Sequence, residues 1–254
     1  MRFAYVNNEK REAEPKLRGV CPVCGEEVIA KCGTEKINHW AHKANSRCDK
    51  WWESETNWHR MWKDYFPKDW QEIVMHDDLT GEKHIADVHT PFGISIEFQH
   101  SRIKEEERIS RESFYKNLIW VVDGTRLPRD VERFKNASSY NIIPIQKTPF
   151  AYTMAPEKCF PKNWLNSEVP VFFDFLAENK EHNLFCLMPG RAGGKALVYI
   201  VKKTEFLSIL HKGKIFDTDP KEFVAVFQNE LEKIEKVKVQ RVPVIRTIRR
   251  SKRL

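Results

Sequence analysis

The chain has 254 residues, 41% hydrophobic and 31% charged, the balance of an ordinary globular protein of one large domain or a small and a larger one. No apolar run approaches the ~18 residues of a membrane-spanning helix. The first residues (one Arg, then Phe-Ala-Tyr-Val and charges) lack a secretory pattern, so a cytoplasmic protein with no membrane partner and few disulfides is expected.

Cysteines cluster early. Cys21-Pro-Val-Cys24-Gly25 is a zinc-knuckle spacing, which lets two thiolates face one ion. His39-Trp-Ala-His42 and Cys48 follow. Structural zinc takes four N/S ligands, and Cys21, Cys24, His42 and Cys48 are the favoured set, with His39 as the substitute. The alternative is a set of reduced, partly buried thiols. Cys32 reads as a small buried apolar residue.

Residues 51–66 read as a helix ended by Pro67. Trp51, Trp58, Trp62 and Tyr65 form its apolar stripe; Glu55 lies at the margin, while Glu53 projects to solvent. A buried carboxylate needs a partner. His59 and Lys63 share the edge of Glu55, so either a Glu55–His59 hydrogen bond or a functional acid is expected there.

Gln71–His76 reads as a strand, then residues 83–90 and 94–99 as the arms of a hairpin about Pro91-Phe92-Gly93. Folding about Phe92 sets residue 88 against 96 and residue 87 against 97. Ala86, Val88, Ile94, Ile96 and Phe98 then share the core face; Asp87, Ser95, Glu97 and Gln99 share the other with Ile85 and His89. Two opposed carboxylates repel, so a cation is expected between Asp87 and Glu97.

Residues 104–117 follow as a helix carrying Arg108, Arg111 and Tyr115, and 118–122 as a buried parallel strand. A helix over 130–136 and strands at 141–145, 169–175 and 183–188 come next. Gly190-Arg-Ala-Gly-Gly-Lys195 is one residue short of a phosphate-binding loop, with Ala196 in place of Ser/Thr and a strand following; it reads as a hairpin turn. His76, His100 and His182 read as ordinary surface or core residues. An amphipathic helix over 222–237 leads into a basic tail. Residues 231–254 hold nine Lys/Arg against two Glu, a surplus equal to the +7 of the entire chain, as expected of a nucleic-acid-binding arm or a solubilising tail.

The α-β-β-β-α-β order, with Asp87, nine intervening residues and Glu97-Phe98-Gln99, resembles the PD-(D/E)XK nuclease superfamily in its Glu-x-Gln form. Cys-Pro-x-Cys, His-Trp-Ala-His, Glu55-Thr-x-x-His59 with Lys63, Asp87, Glu97-Phe-Gln99-x-Ser101, and Arg111 with Tyr115 together resemble the competence protein CoiA-like family. The likeness is good over about residues 1–125 and looser to Asp174. It implies a restriction-endonuclease-like α/β (α+β) core over 51–148. A zinc-binding module (1–50) would precede it, and a C-terminal β-rich and helical extension with the basic tail (149–254) would follow.

The resemblance also implies that Asp87 and Glu97 bind Mg²⁺ (or Mn²⁺), helped by the Phe98 carbonyl, beside a structural Zn²⁺. Glu55 completes the acidic cluster. Gln99 stands where most of the superfamily has Lys; it can orient a water but brings no charge, which leaves Lys63 or Arg108 to supply one. Arg111 and Tyr115, with His59 and Lys63, would face the substrate. The expected activity is hydrolysis of DNA phosphodiesters, endo- or exonucleolytic, in DNA uptake and recombination or in defence against foreign DNA. RNA is left open as a substrate, and the C-terminal region as a contact for a protein partner or a second copy. The alternative is a nucleic-acid-binding adaptor that keeps the fold without cleavage.

Overall fold

A computed structural model describes residues 1–43, 48–51, 55–77, 80–175, 182–213, 215–216 and 219–229. Glu53 and the basic tail lie outside the described residues, as does the expected helix beyond residue 229.

The protein is mixed α and β, with two sheets. The first has the order β2-β1-β3-β4-β5, built from β1 (Phe3–Val6), β2 (Glu9–Glu12), β3 (Arg18–Val20), β4 (Glu27–Lys31) and β5 (His39–His42). Met1, Ala4, Ala13, Cys21, Val28 and Trp40 form its small core, against which Ile85 of the second sheet packs.

Next in the chain come α1 (Asn57–Lys63), β6 (Gln71–His76), β7 (Lys83–His89), β8 (Ser95–Gln99), α2 (Glu105–Phe114) and β9 (Leu118–Asp123). This is the α-β-β-β-α-β order read from the sequence. The helix is shorter than its apolar stripe suggested. Thr56 caps it by accepting from the His59 amide, with the His59 ring returning to Thr56, so Trp51 and Glu55 precede the helix.

Thr90-Pro91-Phe92-Gly93 closes the hairpin, with Gly93 donating to the Thr90 carbonyl at 3.0 Å and taking a left-handed φ of 79°. The observed pairs Val88–Ile96 and His89–Ser95 give the expected register. α2 then crosses over to place β9 parallel to β8.

The remaining elements are α3 (Pro128–Asn141), β10 (Ile143–Pro144), β11 (Phe150–Thr153), α4 (Pro156–Cys159), β12 (Val171–Asp174), β13 (Asn183–Leu187), β14 (Ala196–Lys202) and α5 (Lys203–Lys212). The boundary expected at residue 148 does not interrupt the second sheet. Its order is β10-β11-β14-β13-β12-β9-β8-β7-β6, and β12 lies parallel to β9. Strands β9 and β12 are buried throughout and feed two cores by alternation: Trp120, Val122, Val171 and Phe173 to one, Ile119, Val121 and Phe172 to the other.

Residues 190–195 form the turn between β13 and β14, with a strand rather than a helix after it, as the sequence suggested. Residues 220–229 are helical, and Phe223 and Phe227 pack on Phe150 and Tyr152. Among the described residues, no helix is long and apolar enough to cross a membrane.

Candidate metal centre and acidic pocket

The N-terminal cluster forms where β3 turns into β4. Cys21 accepts the Gly25 amide on its carbonyl at 3.0 Å, and Gly25 adopts a left-handed φ of 75°. This turn aims Cys21 and Cys24 the same way, the Val23 amide donating to the Cys21 sulfur at 3.4 Å. His42, at the end of β5, brings its Nε2 to 3.3 Å from the Cys24 Sγ, and Cys48 Sγ lies 3.5 Å from Cys21 Sγ. All four ligand atoms fall within 4.8 Å of one another, a Cys₃His set that could bind zinc.

Burial pushes the Cys21 and Cys48 thiols up, and for Cys48 the neighbouring Cys21 and Cys24 sulfurs add to it. A doubly charged ion would offset that cost of thiolate formation. His39 is not part of the set: its Nδ1 lies 2.8 Å from the Ile37 carbonyl. Cys32 packs against the N-terminal core with its thiol toward the Ala13 carbonyl.

The second cluster lies where β7 and β8 part. Beyond the Val88–Ile96 pair the main-chain ladder is replaced by the acids themselves. Phe98 N–H donates to Asp87 Oδ2 at 3.0 Å, and Asp87 N–H to Glu97 Oε1 at 3.4 Å. Glu55, His59, Lys63, Asp87, Glu97 and Arg111 line one pocket. Two side-chain cations lie against the carboxylates. Lys63 Nζ is 2.9 Å from Asp87, 3.0 Å from Glu72 and 3.5 Å from Glu55. Arg111 Nη1 is 2.9 Å from Glu97 Oε2. Among the described residues, the acids do not reach the mutual spacing that the Cys₃His set does.

Burial works against the Lys63 charge, yet Asp87, Glu72 and Glu55 hold its proton well above the ordinary lysine range. Glu97 behaves differently. Burial and the facing Asp87 push its carboxyl up to about 8, although Arg111 opposes them. Glu55 pairs with Arg60 and Lys63, not with His59, and its Oε1 is buried without a hydrogen bond.

Other expected site residues are brought close without facing outward. Arg111 is buried, donating also to the Trp51 carbonyl at 2.7 Å and to Glu107. Tyr115 is buried at the end of α2, and burial with the nearby Glu97 pushes its ionisation well up. Gln99 is not in this pocket; its amide donates toward Ser101 in an adjacent recess. Arg108 Nη1 donates to both carboxylate oxygens of Glu112 at 2.8 Å. His100 and His182 pair with Asp123 and Asp174.

Sequence reading missed Glu72. Between the pairs Gln71–Val88 and Ile73–Ala86 it lies opposite Asp87 of β7, so Glu72, Asp87 and Glu97 stand abreast on three strands. Its φ is +47°, a region that costs a residue other than glycine about 1–3 kcal/mol. The bend turns its carboxylate to Lys63 and to the amides of Arg2 and Phe3 at 2.8–3.0 Å, tying the N-terminal sheet to the pocket. Period-two patterning carried no signal for that bend.

Burial disfavours the Glu72 charge, but Lys63, the N-terminal ammonium and the two amides hold its carboxyl down at about 2. A depressed acid contributes stability that is complete above its unfolded value, near 4.5, and is lost as pH falls toward 2. Glu72→Gln should therefore flatten the acid limb of a stability–pH curve between those values, by on the order of 3 kcal/mol. Denaturant midpoints measured across that range check this, and parallel limbs in both proteins would contradict it.

Comparison with known proteins adds one finding. Residues 6–50 match the family model of the competence protein CoiA, N-terminal domain. The matched segment runs from the end of β1 through Cys21, Cys24, His42 and Cys48, reaches the acidic pocket at Asp49 and ends before Glu55, so over that segment the chain is similar to that domain. No curated protein and no solved structure matches the chain.

Proposed function

We propose that the pocket around Lys63 hydrolyses phosphodiester bonds of DNA with a divalent metal ion, and that the protein serves a competence-related process. The observation that carries this reading is the convergence of Glu55, Glu72 and Asp87 on one lysine, with Glu97 lining the same pocket against Arg111. The α-β-β-β-α-β order around it supports a restriction-endonuclease-like core. The match of residues 6–50 supports the link to competence.

The donor set fits a hard cation. The carboxylates and the Phe98 carbonyl offer oxygen only, Glu55 Oε1 lacks a hydrogen bond, and burial with the facing Asp87 disfavours the Glu97 charge despite Arg111, a cost that a bound cation would offset. Asp87 and Glu97 would hold Mg²⁺ or Mn²⁺, which would supply positive charge at the scissile phosphate and a more acidic bound water.

Lys63 supplies the fixed positive charge that Gln99 lacks. Its buried ammonium can stabilise charge developing on a phosphate held beside Asp87. Arg111 keeps the Glu97 carboxylate turned into the pocket, and Glu72 holds Lys63 from the far side. Zinc in the Cys₃His set would have a structural role, since four protein ligands leave no open position.

Asp87→Asn keeps an acceptor for the Phe98 amide while removing the charge. It should lower metal-dependent cleavage of plasmid and oligonucleotide DNA on the order of 10²–10³-fold. Nicking at the wild-type rate would refute the site. One observation favours a second reading, a nucleic-acid-binding adaptor: Lys63 and Arg111 already engage the two central acids, and Gln99 turns away to Ser101. Binding without nicking under Mg²⁺, Mn²⁺ and EDTA alike would select it.

A further inference from the structure

A second recess, separate from the acidic pocket, opens at the C-terminal ends of the parallel strands β8 and β9. Its basic lining comes from several segments: Arg102 after β8, Arg126 in the turn after β9, Arg129 and Arg133 on α3, and Lys162 after α4. Both acids that line it are engaged. Asp123 takes His100 at 2.6 Å and the Thr125 hydroxyl at 2.6 Å, and Asp130 takes Arg133 at 3.2 Å. Arg102, Arg126, Arg129 and Lys162 are exposed. Among the described residues none of these four side chains has an ion pair or hydrogen bond.

A run of charges along one helix is ordinary solvated surface. Four unbalanced cations converging on one concavity from separate segments repel each other, and a bound anion relieves that repulsion. The 14-residue helix α3 begins at the same recess with no capping side chain; Pro128 carries no N–H and the Asp130 amide donates to the Leu127 carbonyl at 2.8 Å, which leaves the Arg129 amide at this positive helix end.

The recess adjoins a second hollow through Arg102, Lys162 and Asn163, where Lys104 adds a cation and Glu105 and Glu106 bring carboxylates. The four cations of the first recess come from separate segments, which suits a row of phosphates better than a single one. Gln99 lines its inner end, two residues along β8 from Glu97, roughly 7 Å.

We infer that this recess binds the backbone phosphates of a nucleic-acid strand and leads that strand toward the acidic pocket. The choice of nucleic acid as the polyanion rests on the proposed nuclease function; the anion site itself does not. Phosphate contacts of this kind give salt-sensitive binding with little sequence preference.

The test uses the full chain and fluorescein-labelled single-stranded and duplex oligonucleotides of one sequence, read by anisotropy. The triple variant Arg102→Ala, Arg126→Ala, Arg129→Ala should weaken binding roughly tenfold or more and flatten the log K against log salt slope by about 2 for the single strand. Removing three exposed lysines elsewhere (Lys31→Ala, Lys147→Ala, Lys212→Ala) should change affinity by no more than about twofold.

Unchanged affinity and slope in the first triple would overturn the site, as would equal losses in both triples. Loss of binding to anionic phospholipid vesicles, with nucleic-acid affinity intact, would overturn it in favour of a membrane contact. The two proposals fail separately. If the wild-type protein never cleaves but the first triple loses affinity, the recess stands and the nuclease falls. If cleavage is metal-dependent and the triple keeps its affinity and KM, the recess alone falls.

Discussion

Replacing Lys63 by methionine is expected to remove about 3–5 kcal/mol of folding stability, the usual cost of leaving a buried charge without its partner. The side chain is 5% exposed and is the shared cation of Glu55, Glu72 and Asp87. Methionine fills much the same space, so the loss comes from stranded carboxylates rather than a cavity. Adding Glu72→Gln and Asp87→Asn to the same protein should recover part of the loss, since the acids no longer carry the charge that Lys63 balanced. Urea midpoints of the single and triple variants decide it. A loss below about 1 kcal/mol in the single variant would show that water or another base replaces Lys63.

Metal removal should have an effect of comparable or larger size, confined to the first sheet. Structural zinc sites contribute apparent binding free energies of about 10–16 kcal/mol, and that energy is folding energy where the core is small. The core around Trp40 holds only a few buried side chains. A strong chelator, or Cys24→Ser, should abolish zinc binding and remove amide-exchange protection from residues 3–42, while β8 and β9 stay protected. Zinc content by emission spectroscopy and exchange read by mass spectrometry give both halves of the result. Full protection of β3 to β5 in a zinc-free preparation would show that the sheet stands without an ion.

Much of this arrangement was legible from local chemistry. The hairpin register followed from period-two alternation and Pro-Phe-Gly, and the Cys21, Cys24, His42, Cys48 set from ligand spacing. Lys63 was named from the sequence as a source of positive charge, but its pairing with Asp87, and that of Arg111 with Glu97, was not legible. Lys63 and Arg111 reach the acids across 24 and 14 residues of chain, and side-chain patterning within one element does not report such pairings. The α1 boundary was misjudged because the Trp stripe continues past Thr56, whose hydroxyl stops the helix by capping it. Glu72 was invisible for a different reason: nothing in Gln-Glu-Ile-Val-Met-His signals a left-handed residue. Its strain is compensated by partners more than 60 residues earlier in the chain.

The unbroken second sheet has a bearing on how the protein can be divided. β9 shares one flank with β8 and the other with β12, and Trp62 of α1 donates to Asp174 of β12 at 3.1 Å. Truncation after residue 148 would strip β9 of its neighbour and bare a wholly apolar Leu-Ile-Trp-Val-Val edge, an open template for a second molecule. A fragment ending there is thus a candidate for self-association.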